Sequence, residues 1–365
     1  MKLTLFFTDG VSLYTWQAGG MLARELALYR ALIERAVEVE FVTYDHGAAR
    51  KHREMLGAIG LRSNRWNLPD ALYKRSLTWF PPKGDVFKSN QVAGAELALR
   101  AARRRGAPFV ARCGYLLSDF EARRHGADST QAHQARVLEA RVFGQADAVV
   151  VTTPAMRATV ITDYDLAAER VRVIPNYVET NRFQSTMAPT NSRPRIGFVG
   201  RLDQQKNLPV LLDAVSTLDV DVALVGDGPQ HDQLKQQAAT GAARVDFMGG
   251  RANEDLPAIM QDWDLFVLPS LYEGHPKALI EAMAAGLPVV GSNVIGIREI
   301  ITDGENGLLA EPDADSLRAA IQRLIQDRAL RQRLGRAARE HAVQHFSLDR
   351  IVELELEMLQ AVAGA

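Results

Sequence analysis

Short runs of Val, Ile, Leu and Phe alternate with amphipathic stretches along nearly the whole chain, and this alternation limits the folds open to it. The first series occupies residues 2–7, 37–43, 85–88, 108–112, 147–152 and 171–174, with segments such as 20–35 between the runs. A second begins at 195 with RIGFVG and continues through 222–226, 244–249, 264–270, 288–292 and 307–311. Strands separated by helices pair in parallel, so the pattern predicts α/β architecture: two tandem Rossmann-like domains. The length of 365 residues agrees, at about 150 residues per domain.

Between the two series, residues 184–194 are polar, rich in Ser, Thr and Pro, and without periodicity, as expected of a linker. The reading assigns 1–183 to a first domain, 195–346 to a second and 347–365 to a last helix. Ser347 is suited to cap that helix, which runs through Ile351, Leu354, Leu356 and Leu359 with no strand after it. Its apolar face is expected to cross back to the first domain.

A single cysteine, Cys113, forms no internal disulfide, which points to a reducing cytoplasm. The run from Met1 meets Asp9 too early for a signal peptide, and no later stretch suits a spanning helix. Residues 1–190 carry 26 lysines and arginines against 19 aspartates and glutamates, a net +7, while residues 191–365 carry 17 against 25, a net −8.

Two segments carry chemistry. In 196–209 a buried strand leads through Gly200 to a helix started near Asn207 and Pro209, with Arg201 and Lys206 in the loop. Such loops bind phosphate, and a guanidinium fork beside a mobile ammonium suits a pyrophosphate; two solvated cations on a turn explain this segment alone equally well. In 268–287 a strand ends at Pro269-Ser270, Glu273, Gly274 and His275 form a loop, Pro276 opens a helix and Gly286 closes it. Eight residues of helix would rise about 12 Å, so Glu273 and Glu281 cannot share a proton but could grip two polyols, one at each end of a ligand. The amides of Gly274, His275 and Lys277 would hold an anionic middle.

The E-x7-E spacing in YEGHPKALIEAMAAGLPVV resembles the donor-site signature of glycosyltransferase family 4, retaining nucleotide-sugar enzymes of the GT-B fold. So do GRLDQQKN at 200–207, VGDGP at 225–229, VIPNYVETNRF at 173–183 and GIREIITDGENGLL at 296–309. The resemblance is specific from about 146 to 350; earlier, only the Gly19-Gly20 loop and the order of elements agree. It implies that Arg201 and Lys206 bind the donor diphosphate, Glu281 the ribose, and Glu273 with Gly274, His275, Pro276, Lys277 and Ala278 the transferred sugar and its phosphates. Gly249 would turn beside the base, Gly20 would approach the donor, and Arg201, Lys206 and Glu273 would carry catalysis. The histidine that many members carry at the end of the strand matching 108–113 is absent: either Arg112 or Tyr115, placed on the acceptor side, takes its polar role, or the role is unnecessary.

Other chemistries fit less well. Asp-x-Asp at 163/165, 219/221, 262/264 and 313/315 reads better as turns and caps than as a cation site, and neither H-E-x-x-H nor G-x-S-x-G occurs. Residues 8–20 lack the G-x-G-x-x-G of a Rossmann oxidoreductase. The basic stretches at 103–105 and 123–124 lack interleaved aromatics, which favours a solvated helix face over nucleic acid.

The expected activity is transfer of a sugar from a nucleoside diphosphate to a glycan or glycolipid hydroxyl, with retention and with neither metal nor cofactor. A nucleotide-sugar epimerase or non-catalytic binding protein on the same scaffold stays open. Lys74, Arg75, Lys83, Lys88 and the basic stretches, interrupted by Trp66, Tyr73, Trp79, Phe80 and Phe87, suit peripheral binding to an anionic inner membrane face. A folded loop at 62–88 with aromatics in the core is the alternative.

Overall fold

The structure, a computed structural model, describes residues 1–46, 52–184 and 193–364, with His46 described by its backbone alone. The chain divides into two compact units, Met1–Pro175 with Ile351–Ala365, and Asn176–Arg350. Of the expected linker, residues 185–192 lie outside the described residues. The division falls earlier, at 175/176, for a physical reason: Val178 and Phe183 are buried in the second core, and the Val178 amide donates to Phe346 O at 2.8 Å.

The first unit is built on β1 (Lys2–Phe6), β2 (Glu38–His46), β3 (Gly60–Asn64), β4 (Val86–Ser89), β5 (Phe109–Cys113), β6 (Ala148–Val151) and β7 (Val171–Val173). Their order is β3-β2-β1-β4-β5-β6-β7, parallel throughout. Its helices are α1 (Leu13–Ala18), α2 (Leu22–Glu34), α3 (Arg53–Leu56), α4 (Asp70–Trp79), α5 (Ala95–Arg105), α6 (Leu117–His125), α7 (Thr130–Gln145) and α8 (Pro154–Asp163). The second unit repeats the plan with β8 (Arg195–Val199), β9 (Asp221–Val225), β10 (Arg244–Gly249), β11 (Leu265–Leu268), β12 (Val289–Ser292) and β13 (Leu308–Ala310), ordered β10-β9-β8-β11-β12-β13. Its helices are α9 (Leu208–Val215), α10 (His231–Ala238), α11 (Leu256–Met260), α12 (Lys277–Ala284), α13 (Ala314–Gln326) and α14 (Arg328–Phe346); α15 (Leu348–Ala363) follows.

Helices on both faces bury these sheets, which is why β4, β6, β11 and β12 are buried at every position, and β6 and β11 read as unbroken apolar runs. In both sheets the strand order reverses beside the first strand. Loops following the strands on either side of that point, β8 and β11 in the second unit, stand at the position where α/β sheets bind ligands.

The folded loop expected at 62–88 is corrected: the segment holds the end of β3, then α4, then the start of β4, with short connections at 65–69 and 80–85. Its aromatics divide. Tyr73 and Phe87 are core, at 6% and 0% exposure, whereas Trp66, Trp79 and Phe80 stand at 69%, 50% and 74%. Lys88 is not a surface cation either. It is 1% exposed on β4, and its ammonium meets both carboxylate oxygens of Glu355 on α15 at 2.6 Å. Burial drives Lys88 below the ordinary lysine range, against the opposing pull of Glu355. With Ile351, Val352, Met358 and Leu359, this pair seats α15 in the first unit.

Candidate active site

The loops after β8, β9 and β10 are stitched together through main chain. Gly200 N–H donates to Val225 O at 3.0 Å, Gly226 N–H to Gly249 O at 2.9 Å, and Leu202 N–H to Asp227 O at 2.9 Å. Asp227 in turn accepts from Gly250 N–H at 2.7 Å. Gly226 has φ +136, and a Cβ there would stand 1.9 Å from Gly200 O, so no other residue fits this approach. Asp203 caps a single 3-10 turn, Gln204–Lys206, which carries Lys206 into the site.

The loop after β11 is fastened to that turn. Leu271 N–H donates to Gln205 O at 2.8 Å, and Gln205 Nε2 donates to Tyr272 O at 3.0 Å. Ser270 Oγ donates to Glu273 Oε1 at 2.7 Å, and the Lys206 ammonium forms an ion pair with the same carboxylate. Gly296, φ +88, lets its loop press on Glu273 O and Gly274 O, each 2.4 Å from where a Cβ would lie. The sequence reading assigned Lys206 to the diphosphate and Glu273 to the sugar; the structure joins them, with side chains only 14% and 8% exposed.

Glu281 lies on α12, 1% exposed. Asn253 holds it, donating from Nδ2 to Oε1 at 2.8 Å. Arg182 steadies Asn253 in turn, reaching Oδ1 at 3.3 Å and the main-chain oxygen at 3.1 Å, while pairing with Glu179. The sequence reading missed Asn253, since nothing in 250–255 distinguishes it from an ordinary residue ahead of a helix.

The remaining site residues fall as follows. Arg201 is outward, its side chain 71% exposed with Asp203 at 3.2 Å. Gly249, φ +67, ends β10 at an irregularity in the ladder. His275 is buried, its carbonyl accepting from Asn176 Nδ2 at 2.7 Å and its ring lying 5.0 Å from Phe346. Pro276 caps α12, Lys277 opens it 5.9 Å from the Tyr177 ring, and Ala278 completes the opening, so the first amides of α12 point along its axis beyond the N-terminus, with the positive end of the helix dipole. Gly20, Arg112 and Tyr115 belong to the first unit: Gly20 links α1 to α2, Arg112 is half-buried near the end of β5, and Tyr115 follows β5 at 41% exposure.

The Asp-x-Asp pairs have structural partners. Asp264 accepts from Arg195 N–H at 2.8 Å, Asp219 and Asp221 face Arg193, and Asp163 faces Arg136. Asp313 caps α13, and hydrogen bonds from Ser316 hold its carboxyl below the usual range. No cluster of three or more potential metal ligands occurs among the described residues. His341 and His345, four apart on α14, lie 4.6 Å ring to ring; burial, then the neighbouring His345, lowers His341.

Two family models cover the chain in sequence, a glycosyl transferase 4-like domain over residues 19–177 and glycosyl transferases group 1 over 180–341. The chain belongs to the family 4 glycosyltransferases. A lipopolysaccharide core biosynthesis glycosyltransferase, LpsE, of Rhizobium meliloti is 31% identical over 60% of this chain and 65% of its own length, so the chain spans under two thirds of that relative. A D-inositol 3-phosphate glycosyltransferase of Salinispora arenicola is 28% identical over 96% of this chain and 89% of its own. Anabaena HepE, solved with UDP and glucose, superposes with a TM-score of 0.78 at 22% identity over 99% of this chain and 100% of its own, which shows the shared GT-B fold. No described helix of this family 4 member is long and apolar enough to cross a membrane.

Proposed function

We propose that the protein is a retaining glycosyltransferase that moves a sugar from a nucleoside diphosphate to a hydroxyl of a glycan or glycolipid. The observation that supports this most is the meeting of Lys206 and Glu273 at the switch point of the second sheet, with Glu281 buried and oriented by Asn253 nearby in the same unit. In this reading the bond from the anomeric carbon to the diphosphate oxygen breaks through an oxocarbenium-like state. Charge gathers on the departing diphosphate, and Lys206, Arg201 and the amides opening α12 stabilise it more than they stabilise the bound donor. The acceptor oxygen bonds the anomeric carbon on the face the diphosphate leaves, which preserves configuration, and its proton goes to the leaving diphosphate. Glu281 holds the ribose, Gly249 lies at the base, and Glu273 passes from Lys206 to the sugar when the diphosphate arrives. Gly20, Arg112 and Tyr115 are assigned to the first unit's share of donor and acceptor contacts. Neither metal nor cofactor takes part.

HepE with UDP and the lipopolysaccharide relative favour a UDP-sugar and a surface-glycan acceptor, assembled in the cytoplasm at the membrane face. NMR of the first-formed product from a screen of UDP-, GDP- and ADP-sugars tests the reading: glycoside of unchanged anomeric configuration, formed in EDTA, is expected. An inverted linkage, an isomerised sugar, or loss of activity in chelator overturns it.

A further inference from the structure

The first sheet has a second concave feature, at the edge where its strands begin. There α4 ends in Trp79 and is followed by Phe80, the half- and three-quarters-exposed aromatics already noted, and these rim a cavity of about 570 Å3. Its walls carry five cations, Lys2, Arg62, Lys83, Arg104 and Arg105, against one carboxylate, Glu40. Three of the five are committed. Lys2 is held by Glu38 at 2.7 Å and Glu40 at 3.1 Å, Arg62 lies 3.5 Å from Glu40, and Arg105 donates to the carbonyls of Pro81 and Pro82. Lys83 and Arg104 are exposed and face no carboxylate among the described residues.

Two solvated cations beside two projecting aromatics are matched by one kind of surface. The cations suit phosphate, and tryptophan and phenylalanine settle where headgroups meet hydrocarbon. A nucleic acid would need a groove that follows successive phosphates, whereas this is a single pocket. We propose that the cavity seats the phosphate of an anionic phospholipid in a bilayer, with Lys83 and Arg104 on the phosphate and Trp79 and Phe80 entering the interface. This rests on the reading above only in placing the enzyme at a membrane. It leaves free the opposite edge of the sheet, where β5 ends near Arg112 and Tyr115.

The test uses the full chain, vesicles of equimolar phosphatidylglycerol and phosphatidylcholine, and tryptophan emission. Trp16 and Trp263 are buried, so emission changes report Trp66, four residues ahead of the start of α4, and Trp79, its last residue, with the helix of about 15 Å between them. Binding at low salt with a blue shift is expected, lost in Trp79→Phe and kept in Trp66→Phe. Lys83→Ala/Arg104→Ala is expected to lower partitioning on the order of 30-fold, two charges at about 1 kcal/mol each. Absence of binding, a shift that follows Trp66, partitioning unchanged in the double variant, saturation by glycerol 3-phosphate without vesicle binding, or equal affinity for single-stranded DNA each overturns the proposal. Thermal stabilisation by nucleotide sugars, measured on the same samples, separates the two readings. A chain that binds a nucleotide sugar but no vesicle loses only this inference, and one that binds vesicles but no nucleotide sugar loses only the donor reading.

Discussion

The two sheets share one strand order but are tightened by different means. In the second unit the critical approaches are main chain on main chain, Gly226 against Gly200 and Gly296 against Glu273 and Gly274, at the loops that carry the candidate site. In the first unit several loop glycines, Gly10, Gly57 and Gly126 among them, have open space where a Cβ would lie, with nothing within 4 Å; Gly84 and Gly114 are crowded instead by the Thr4 and Gln91 side chains, 2.5 and 2.7 Å from such a Cβ, and Gly94 by Asp9 at 3.0 Å, while buried side chains meet in pairs. Lys88 meets Glu355 across 267 residues, and Glu139 accepts from the amides of Leu117 and Ser118 at 2.6 and 3.2 Å and from Tyr164 Oη at 2.5 Å. A site made of backbone needs particular residues at particular positions and so marks its own sequence. Contacts made by side chains from distant segments leave no such local mark.

The largest expected effect falls on the first unit. Lys88→Met leaves the Glu355 carboxylate buried without its partner and is expected to cost about 3–5 kcal/mol by denaturant unfolding, with near recovery in Lys88→Met/Glu355→Leu. If the single variant unfolds like wild type, the pair does not anchor α15. In the second unit Gly226→Ala is expected to cost about 3 kcal/mol, because its Cβ meets the Gly200 carbonyl and its φ disfavours alanine. Unaltered stability and donor binding would refute the main-chain account of the loops.

Smaller effects separate roles within the site. Lys206→Ala and Arg201→Ala are each expected to lower kcat/KM about 10²-fold, in kcat more than KM, since both are assigned to the departing diphosphate. Asn253→Ala is expected to raise the donor KM about 10-fold with kcat little changed, the loss of one hydrogen bond to a charged group; an effect confined to kcat would remove Asn253 as the residue positioning Glu281. Gly144→Ala, in α7 with open space around it, is expected to stabilise the first unit by about 0.5 kcal/mol, and a destabilised variant would show that its glycine has a steric role after all.

By itself the sequence determined the repeated strand-helix order, the helix starts at Pro276 and Ser347, and the loops carrying Arg201, Lys206, Glu273 and Glu281. Each of these depends on local backbone chemistry: an apolar run, a proline, a glycine with positive φ, a cap. Tertiary structure alone decided that Lys206 pairs with Glu273, that Asn253 and Arg182 stand behind Glu281, and that Lys88 is buried against α15. It also divided one run of aromatics into core and surface, because Tyr73 faces the sheet from α4 and Phe87 lies within β4, whereas Trp66 and Phe80 flank the helix and Trp79 ends it. Which side of an element meets the core, and which distant segment comes to rest on it, is set by packing between elements. No window of local sequence contains that partner.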